Sequence, residues 1–395
     1  MLIHAGVPML LLVRSIFWLA AAMILYTYLG YPLLVLLWSK IGKKETAPKA
    51  QRIEPFVSVV IAARDEEQHI GARVQDLLKQ GYPRDKLEII VVSDGSTDNT
   101  TGILDRLAGK MNVGRAYDRP LLKCVRYSAH RGKPFAINRG ISEAKGELIV
   151  FADARQRFAA DAIRHLVANF INPQVGCVSG ELVFEESRGS SIQAEMDAYW
   201  RFEKWLRKLE SATGSVPGAT GAIYAIRREL FDPLPEQTLL DDVLTPLRVR
   251  MKGYRVIFDN RAVAYDTVSK DFLREKKRKI RTLAGNWQLL LLEPILLNPI
   301  KNPLWIKFMS HKTFRLLVPY CFFVLVATAL YLRDFFSLLT LFSLALCFGM
   351  ALVPQLPDYL ATFSKARRIC RAVVMLNYFA MVAPFALANP RGRLW

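Results

Sequence analysis

Residues 57–62 (VSVVIA) and 88–98 (EIIVVSDGSTD) decide how this chain folds. Each opens on a short, unbroken run of β-branched and apolar residues, which reads as a strand buried on both faces. Each run then meets polar residues: Arg64-Asp65-Glu66 after the first, Ser93-Asp94-Gly95-Ser96 at the end of the second. Residues 66–78 between them have helical spacing. Farther on come a helix to Leu107, a strand near residues 121–127, a helix over 134–144 and a strand at 148–152 (LIVFA) leading into Asp153. Strands alternating with helices predict an α/β domain, a mostly parallel sheet with helices on both faces. Such sheets bind ligands at the carboxyl ends of their strands. Carboxylates at these ends can accept hydrogen bonds from the base or ribose of a nucleotide, or hold a divalent cation that bridges a diphosphate. Asp94-Gly95-Ser96 by itself is also ordinary turn chemistry. Three acidic strand ends in one row favour the ligand reading.

Outside this domain the composition changes. The 395 residues are 52% hydrophobic, with a mean hydropathy of +0.17, and the apolar excess sits at the two ends. Residues 16–38, 316–332, 335–357 and 372–390 carry no charge, and each approaches the roughly 20 residues needed to cross a bilayer. The first run is too long for a cleaved signal peptide. A net charge of +19 would suit nucleic acid, but the basic residues cluster beside the apolar runs. Lys40, Lys43, Lys44, Lys49 and Arg52 follow the first; Lys301, Lys307, Lys312 and Arg315 precede the second; Lys365, Arg367, Arg368 and Arg371 separate the third from the fourth. If the spans alternate, all three clusters share one side, which the positive-inside rule makes cytoplasmic. Arg391 and Arg393 fall opposite. The charge is therefore read as membrane-directed, with no nucleic-acid partner. The five cysteines show no paired spacing, so neither a disulfide framework nor a zinc site is expected.

The expected organisation is an N-terminal span (about 15–38) with a basic linker over 1–44, a cytosolic catalytic domain over 45–287, an interfacial segment over 288–312 and three C-terminal spans over 313–395. Pro294, Pro299 and Pro303 interrupt the interfacial segment, while Lys301, Trp305 and Lys307 suit a stretch lying in the membrane plane. Residues 191–209, with Trp200, Phe202, Trp205 and Leu206, read as a second amphipathic helix.

More motifs follow the strand ends in order: Arg131-Gly132-Lys133-Pro134, Asp153-Ala154-Arg155, Pro217-Gly218-Ala219-Thr220-Gly221-Ala222, Leu240-Asp241-Asp242-Val243 and Arg278-Lys279-Ile280-Arg281-Thr282. Small residues at 218–221 let a ligand approach the backbone closely. A carboxylate such as Asp242 can take the proton of an attacking hydroxyl. It is equally placed to cap a helix starting at Val243.

From about Pro55 to Trp287 the sequence resembles the family 2 glycosyltransferases, particularly the membrane group of hyaluronan, cellulose and poly-N-acetylglucosamine synthases. The resemblance implies a GT-A-type nucleotide-sugar-binding domain beside transmembrane and interfacial helices. It places Ala62, Arg64, Glu66 and Asp94 on the uracil and ribose of a UDP-sugar, and Lys133 on the nucleotide or its phosphates. Asp153 stands in the DxD motif as a ligand for Mg2+ or Mn2+, although Arg155 replaces the motif's second acid. Gly218, Ala219, Thr220 and Gly221 resemble the acceptor-lining segment. Asp242, with Asp241 beside it, falls on the catalytic-base segment. Arg281 and Arg278 lie in a QRxRW-like stretch, where Arg281 is expected to face the diphosphate.

The implied activity is that of an inverting, inner-membrane, multi-pass glycosyltransferase forming a β-linkage on a glycan or lipid-linked acceptor. A polyprenyl-phosphate glycosyltransferase, or a non-catalytic membrane scaffold on the same fold, remains as an alternative. A sugar nucleotidyltransferase would want a glycine-rich loop where this chain has Arg64-Asp65-Glu66. Thr282 takes the place of the motif's tryptophan and is too small to stack on a sugar; Trp287, five residues on, is the only nearby substitute. Short products or single-sugar transfer are expected for that reason.

The span count makes a prediction. Cysteine labelling from outside intact cells is expected to reach a tag at residue 2 and not one at residue 368. Labelling at 368 would overturn the four-span topology.

Overall fold

The computed structural model describes residues 6–41, 53–112, 121–185, 191–267, 272–353 and 361–388. The basic linker residues Lys43, Lys44, Lys49 and Arg52, and Arg391 and Arg393, lie outside these residues.

After two membrane-type helices, α1 (Gly6–Leu25) and α2 (Tyr31–Ile41), the chain builds β1 (Val57–Ala63), α3 (Ile70–Leu78), β2 (Leu87–Asp94), α4 (Thr100–Asn112), β3 (Leu121–Tyr127), α5 (Lys133–Ser142) and β4 (Leu148–Asp153). Then come β5 (Arg157–Phe158), α6 (Ala162–Ala168), β6 (Val175–Glu185), α7 (Ser191–Ala212), β7 (Ile223–Arg227), α8 (Asp241–Met251) and β8 (Arg255–Thr267). The eight strands form one sheet in the order β3-β2-β1-β4-β7-β6-β8-β5. Its first four strands are parallel, as the alternating pattern predicts. The second half mixes directions, because β7 runs antiparallel to both β4 and β6.

Alternate residues of each central strand face opposite layers. Val59 and Ile61 pack with Ile70 and Leu77 of α3 and Leu166 of α6. Val60 packs on the other side with Ile137 of α5, Leu244 of α8 and Ala284 of α9 (Phe272–Leu292). In register, Ala62 lies opposite both Val92 and Asp153, so the ends of β1, β2 and β4 are flush. The polar residues that follow therefore share one edge.

Among the described residues, four helical stretches are long and apolar enough to cross a membrane: Pro8–Ile41, Trp305–Leu332, Phe335–Leu352 and Phe363–Ala388. The first is longer than its uncharged core. It begins before Arg14 and passes from α1 into α2 through a π-helical turn at Tyr26–Gly30. α10 (Trp305–Phe308) leads through another π turn into α11 (Phe314–Leu332), followed by α12 (Phe335–Leu352) and α13 (Ala361–Ala388). α1 and α11 lie antiparallel, joined at one end by Tyr26 Oη and Ser310 Oγ at 2.8 Å and at the other by Arg14 and Asp334 at 3.1 Å.

Two expectations change here. The basic cluster at 365–371 is not a loop but the first turns of α13. Lys307 does not face a membrane surface: it is buried and donates to the carbonyls of Glu210, Thr213 and Ser215 at the C-terminal end of α7. The Glu210 carbonyl lies in the last turn of α7 and also accepts from Thr213 Oγ1 at 3.0 Å, while the other two lie just past the helix. The apolar side chains nearby do stay outside, with Leu291, Leu297, Ile300 and Ile306 exposed.

Next to Lys307, Glu203 and Glu210 of α7 grip the two ring nitrogens of His311 at 3.0 and 2.8 Å. Arg315 of α11 bonds Glu203, and Tyr31 of α2 bonds Glu210. Burial works to raise both carboxyls, yet His311 acts on each, with Arg315 on Glu203 and Lys307 on Glu210. Both are held below the ordinary glutamate range. The catalytic sheet is thus clamped to the membrane-type helices through α7.

Replacing Lys307 by Met keeps the packing and strips three carbonyls of this donor. The expected cost is on the order of 2 kcal/mol, read as a lower thermal midpoint in detergent and faster proteolysis at the end of α7. An unchanged midpoint would deny the clamp.

Candidate active site

The turn after β2 is forced by Gly95. Its φ is +63°, and a Cβ there would lie 2.7 Å from the backbone nitrogen of His130. That close approach brings residues 130–132 over the end of β2. Asp94, which is buried, accepts from the backbone nitrogens of Arg131 at 2.8 Å and Gly132 at 2.9 Å, and it contacts His130 Nδ1 at 2.8 Å. Both Asp94 oxygens are therefore engaged by the loop, and the carboxylate braces that loop instead of standing open.

The loop after β1 is zipped to the loop after β2. Thr97 donates its backbone NH to Asp65 Oδ1 at 2.7 Å, Glu66 N donates to Thr100 Oγ1 at 2.8 Å, and Glu67 N donates to Asp98 Oδ2 at 3.0 Å. Ala62 sits at the sheet end below them, and Arg64 lies exposed beside Asp65. Burial pushes the Glu66 carboxyl up; His69 and Arg155 pull against it, while Asp153 and Asp98 add to the rise.

Lys133, the first residue of α5, points its ammonium between β4 and α8. It donates to Asp153 Oδ1 at 3.0 Å and lies 3.5 Å from Asp241 Oδ2. Burial works against its charge, but Asp153, Asp241 and Asp242 outweigh burial and hold its pKa above the ordinary lysine value.

Asp241 and Asp242 begin α8, whose N-cap is Leu240, and neither carboxylate makes a side-chain cap. The capping alternative is thus corrected: both acids lie in the first turn, where the helix dipole favours negative charge. Asp242 Oδ2 accepts from Gly221 N at 3.1 Å, and its carbonyl accepts from Ala219 N at 2.7 Å. Gly218, Ala219 and Thr220 are buried, leaving Gly221 as the partly open member of the acceptor segment. Burial first, then the neighbouring Asp241, pushes the Asp242 carboxyl up to about 6, against the pull of Lys133, Lys312 and Arg207.

The two arginines of α9 part company. Arg278 pairs with Glu275 at 3.0 Å and lies 5.9 Å from the rings of Phe184 and Trp200. It is occupied in a packing role instead of facing Asp153. Arg281 makes no hydrogen bond or ion pair among the described residues, and its Nε is buried. Trp287 packs against the core, so it does not replace the missing tryptophan as a free stacking surface.

Arg155, in the DxD position, turns to buried Asp266 of β8, with bonds of 3.1 and 2.8 Å. The second acid of the motif is thus replaced by an internal pair. Among the described residues no three His, Cys, Asp or Glu side chains converge as a metal cage. Asp153 keeps one carboxylate oxygen without a hydrogen bond among the described residues, on a side chain 36% exposed at the sheet edge. One open carboxylate fits a hard cation that brings its remaining oxygen ligands with it.

Three residues at the site carry no sequence signal. Arg207 of α7 donates to Thr220 Oγ1 at 2.6 Å, Lys312 bears on Asp242, and Asp266 holds Arg155. They come from distant parts of the chain, and no spacing in the sequence links them to the motifs.

Residues 58–234 match the pattern described as Glycosyl transferase family 2, and residues 148–361 match Glycosyl transferase family group 2. The chain is a family 2 glycosyltransferase. Among relatives of this glycosyltransferase, the beta-monoglucosyldiacylglycerol synthase of Synechocystis is 30% identical over 213 residues, 51% of this chain and 42% of the relative. The poly-beta-1,6-N-acetyl-D-glucosamine synthase of Staphylococcus epidermidis is 22% identical over 60% of this chain and 55% of its own. The chain thus spans about half the length of these curated relatives. In fold it is similar to the mannosyltransferase PcManGT from Pyrobaculum calidifontis, solved with GDP-Man and Mn2+. There the TM-score is 0.72 at 23% identity, covering 95% of this chain and 99% of that one.

A Cβ at Gly221 would lie 2.9 Å from Asp242 Oδ2. Gly221→Ala is therefore expected to displace that carboxylate and lower glycosyl transfer at least about tenfold, with nucleotide binding and thermal midpoint near wild type. Wild-type turnover would show that the contact does not position Asp242.

Proposed function

We propose that this glycosyltransferase works from the inner membrane, with its catalytic domain in the cytoplasm. It moves one hexose or N-acetylhexosamine from a UDP-sugar to a lipid-linked or glycan acceptor. The observation that carries this reading is Asp242: a carboxylate raised to about 6, fixed by Gly221 on the segment that resembles the acceptor lining. A base is most effective when its pKa lies near the working pH.

In this reading the nucleotide lies across the flush ends of β1, β2 and β4, over Ala62, Arg64 and Glu66 and the loop braced by Asp94. Lys133 and Arg281 are the cations toward the diphosphate, and Arg281 is supported by making no hydrogen bond or ion pair among the described residues. Asp153 would hold Mg2+ or Mn2+ together with diphosphate oxygens. The bound ion would supply charge neutralisation for the leaving diphosphate.

Asp242 takes the proton of the acceptor hydroxyl as that oxygen bonds to the anomeric carbon. The bond from that carbon to the diphosphate breaks, and the nucleoside diphosphate leaves with its electron pair. Asp241 raises and Lys133 lowers the proton affinity of Asp242. A single displacement inverts the centre, so an α-linked donor gives a β-linkage. Single transfer is supported by Thr282, whose hydroxyl bonds Arg278 O within α9, and by the core packing of Trp287.

Asp242→Asn is expected to lower turnover at least about 10²-fold while UDP binding persists. Because Asp242 must be ionised to accept a proton, wild-type turnover should fall as pH drops through about 6 and level off above it. Full turnover in Asp242→Asn, or an acid limb that survives the substitution unchanged, would refute the base assignment.

A further inference from the structure

α13 presents one face to the rest of the bundle, with Lys365 and Arg368 in its first turns and Ala372, Leu376 and Ala380 beyond them. Steps of three and four residues keep these side chains in one row. That row forms one wall of a cavity of about 600 Å3, a volume within the range of small-ligand sites. Arg201 and Phe202 of α7, Leu283 of α9 and Arg315 of α11 supply the other walls. Tyr28 and Asn377, bonded at 2.6 Å, also line it.

The lining divides by chemistry. Four cations, Arg201, Arg315, Lys365 and Arg368, lie on it, and no carboxylate is among the lining residues. Arg315 is held by Glu203. Arg201, Lys365 and Arg368 pair with no carboxylate among the described residues; Arg368 donates only to the carbonyl of Ser364, within its own helix. Apart from Phe202 of α7 and Leu283 of α9, the remaining wall is mainly aliphatic and belongs to helices long and apolar enough to cross a membrane. Arg315 apart, three cations gathered with no carboxylate partner among the described residues favour an anion that completes them. Placing aliphatic side chains next to them selects an anion that carries a hydrocarbon tail.

We propose that this cavity binds one anionic phospholipid. The headgroup phosphate sits among Arg201, Lys365, Arg368 and Arg315, and the start of one acyl chain follows Ala372, Leu376 and Ala380. Positive residues flanking spans usually face the membrane surface as a diffuse charge. Here they line a single half-open cavity, with Arg201 and Lys365 exposed at it, and one cavity takes one lipid. The site also adjoins the catalytic region: Arg315 pairs with Glu203, Lys312 acts on Glu203 and on Asp242, and Leu283 lies two residues from Arg281. The proposal rests on reading these helices as membrane spans, and it leaves the donor and acceptor assignments aside.

The test uses the full chain in neutral detergent, with retained lipid counted by native mass spectrometry. Phosphatidylglycerol, phosphatidylcholine with the same acyl chains, and inorganic phosphate are compared. One phosphatidylglycerol per chain is expected, held at least about tenfold more tightly than phosphatidylcholine. Inorganic phosphate at the same concentration should not displace it. Combined Arg201→Gln, Lys365→Gln and Arg368→Gln substitution should weaken phosphatidylglycerol retention at least about tenfold. Val373→Trp, which fills the cavity without changing charge, should weaken it as well and serves if the triple variant does not fold. Lys208→Gln, an exposed cation of α7 outside the lining, should change nothing. Equal retention of the two lipids, displacement by free phosphate, or wild-type retention in either cavity variant would overturn the proposal. UDP binding is measured on the same samples, so failure of the donor assignment would appear separately as lost UDP binding with lipid retained.

Discussion

A single ammonium group holds the catalytic edge together. Lys133 reaches it from the start of α5, Asp153 from the end of β4, and Asp241 and Asp242 from the first turn of α8. Three carboxylates brought this close would repel one another strongly at low effective dielectric. With Lys133 among them the cluster is tolerable, and the cation's charge is fixed in return. One acid still bears the strain of the arrangement: Asp242, the most affected by burial and by Asp241, rises to about 6. The same packing that makes this edge electrostatically tense gives one of its carboxylates the proton affinity of a base.

The clamp at α7 carries that edge to the membrane-type helices. Glu203 and Glu210 are seven residues apart, hence on one side of α7 two turns from each other, and His311 bridges them. Buried ion pairs stabilise little unless every polar atom is satisfied, but they specify geometry where a purely apolar contact would slide. Here they fix the rotation of α7, and that rotation sends Arg207 to Thr220 in the segment facing Asp242. Arg315 is shared between the clamp and the cationic cavity. Arg315 thus joins the clamp to the cavity, and Arg207 joins α7 to the segment beside Asp242.

Much of the site was legible residue by residue. Arg64, Glu66, Asp94, Asp153 and Lys133 were found because strand ends and glycine turns are written locally, in runs of a few residues. Their partners were not. Asp94 looked like a ligand contact, and the loop at 130–132 takes both its oxygens because Gly95 permits an approach that no local pattern announces. Arg155 looked like a lost metal ligand and is the partner of Asp266, more than a hundred residues away in sequence. Arg281 was expected to face the diphosphate with Arg278 beside it in the same stretch, and the turn of α9 gives Arg278 to Glu275 while Arg281 makes no hydrogen bond or ion pair among the described residues.

The sequence by itself determined the order of the first four strands and the helices between them, the row of polar strand ends and the apolar ends of the chain. Each of these follows from the periodicity or composition of a short segment. Only the tertiary structure decided which charges meet. It reversed the direction of β7, buried Lys307 against the end of α7, and turned the basic start of α13 into the wall of a cavity. Charge pairing depends on distances of a few ångströms between residues remote in sequence. Those distances are set by how the layers pack, which no local run of residues encodes.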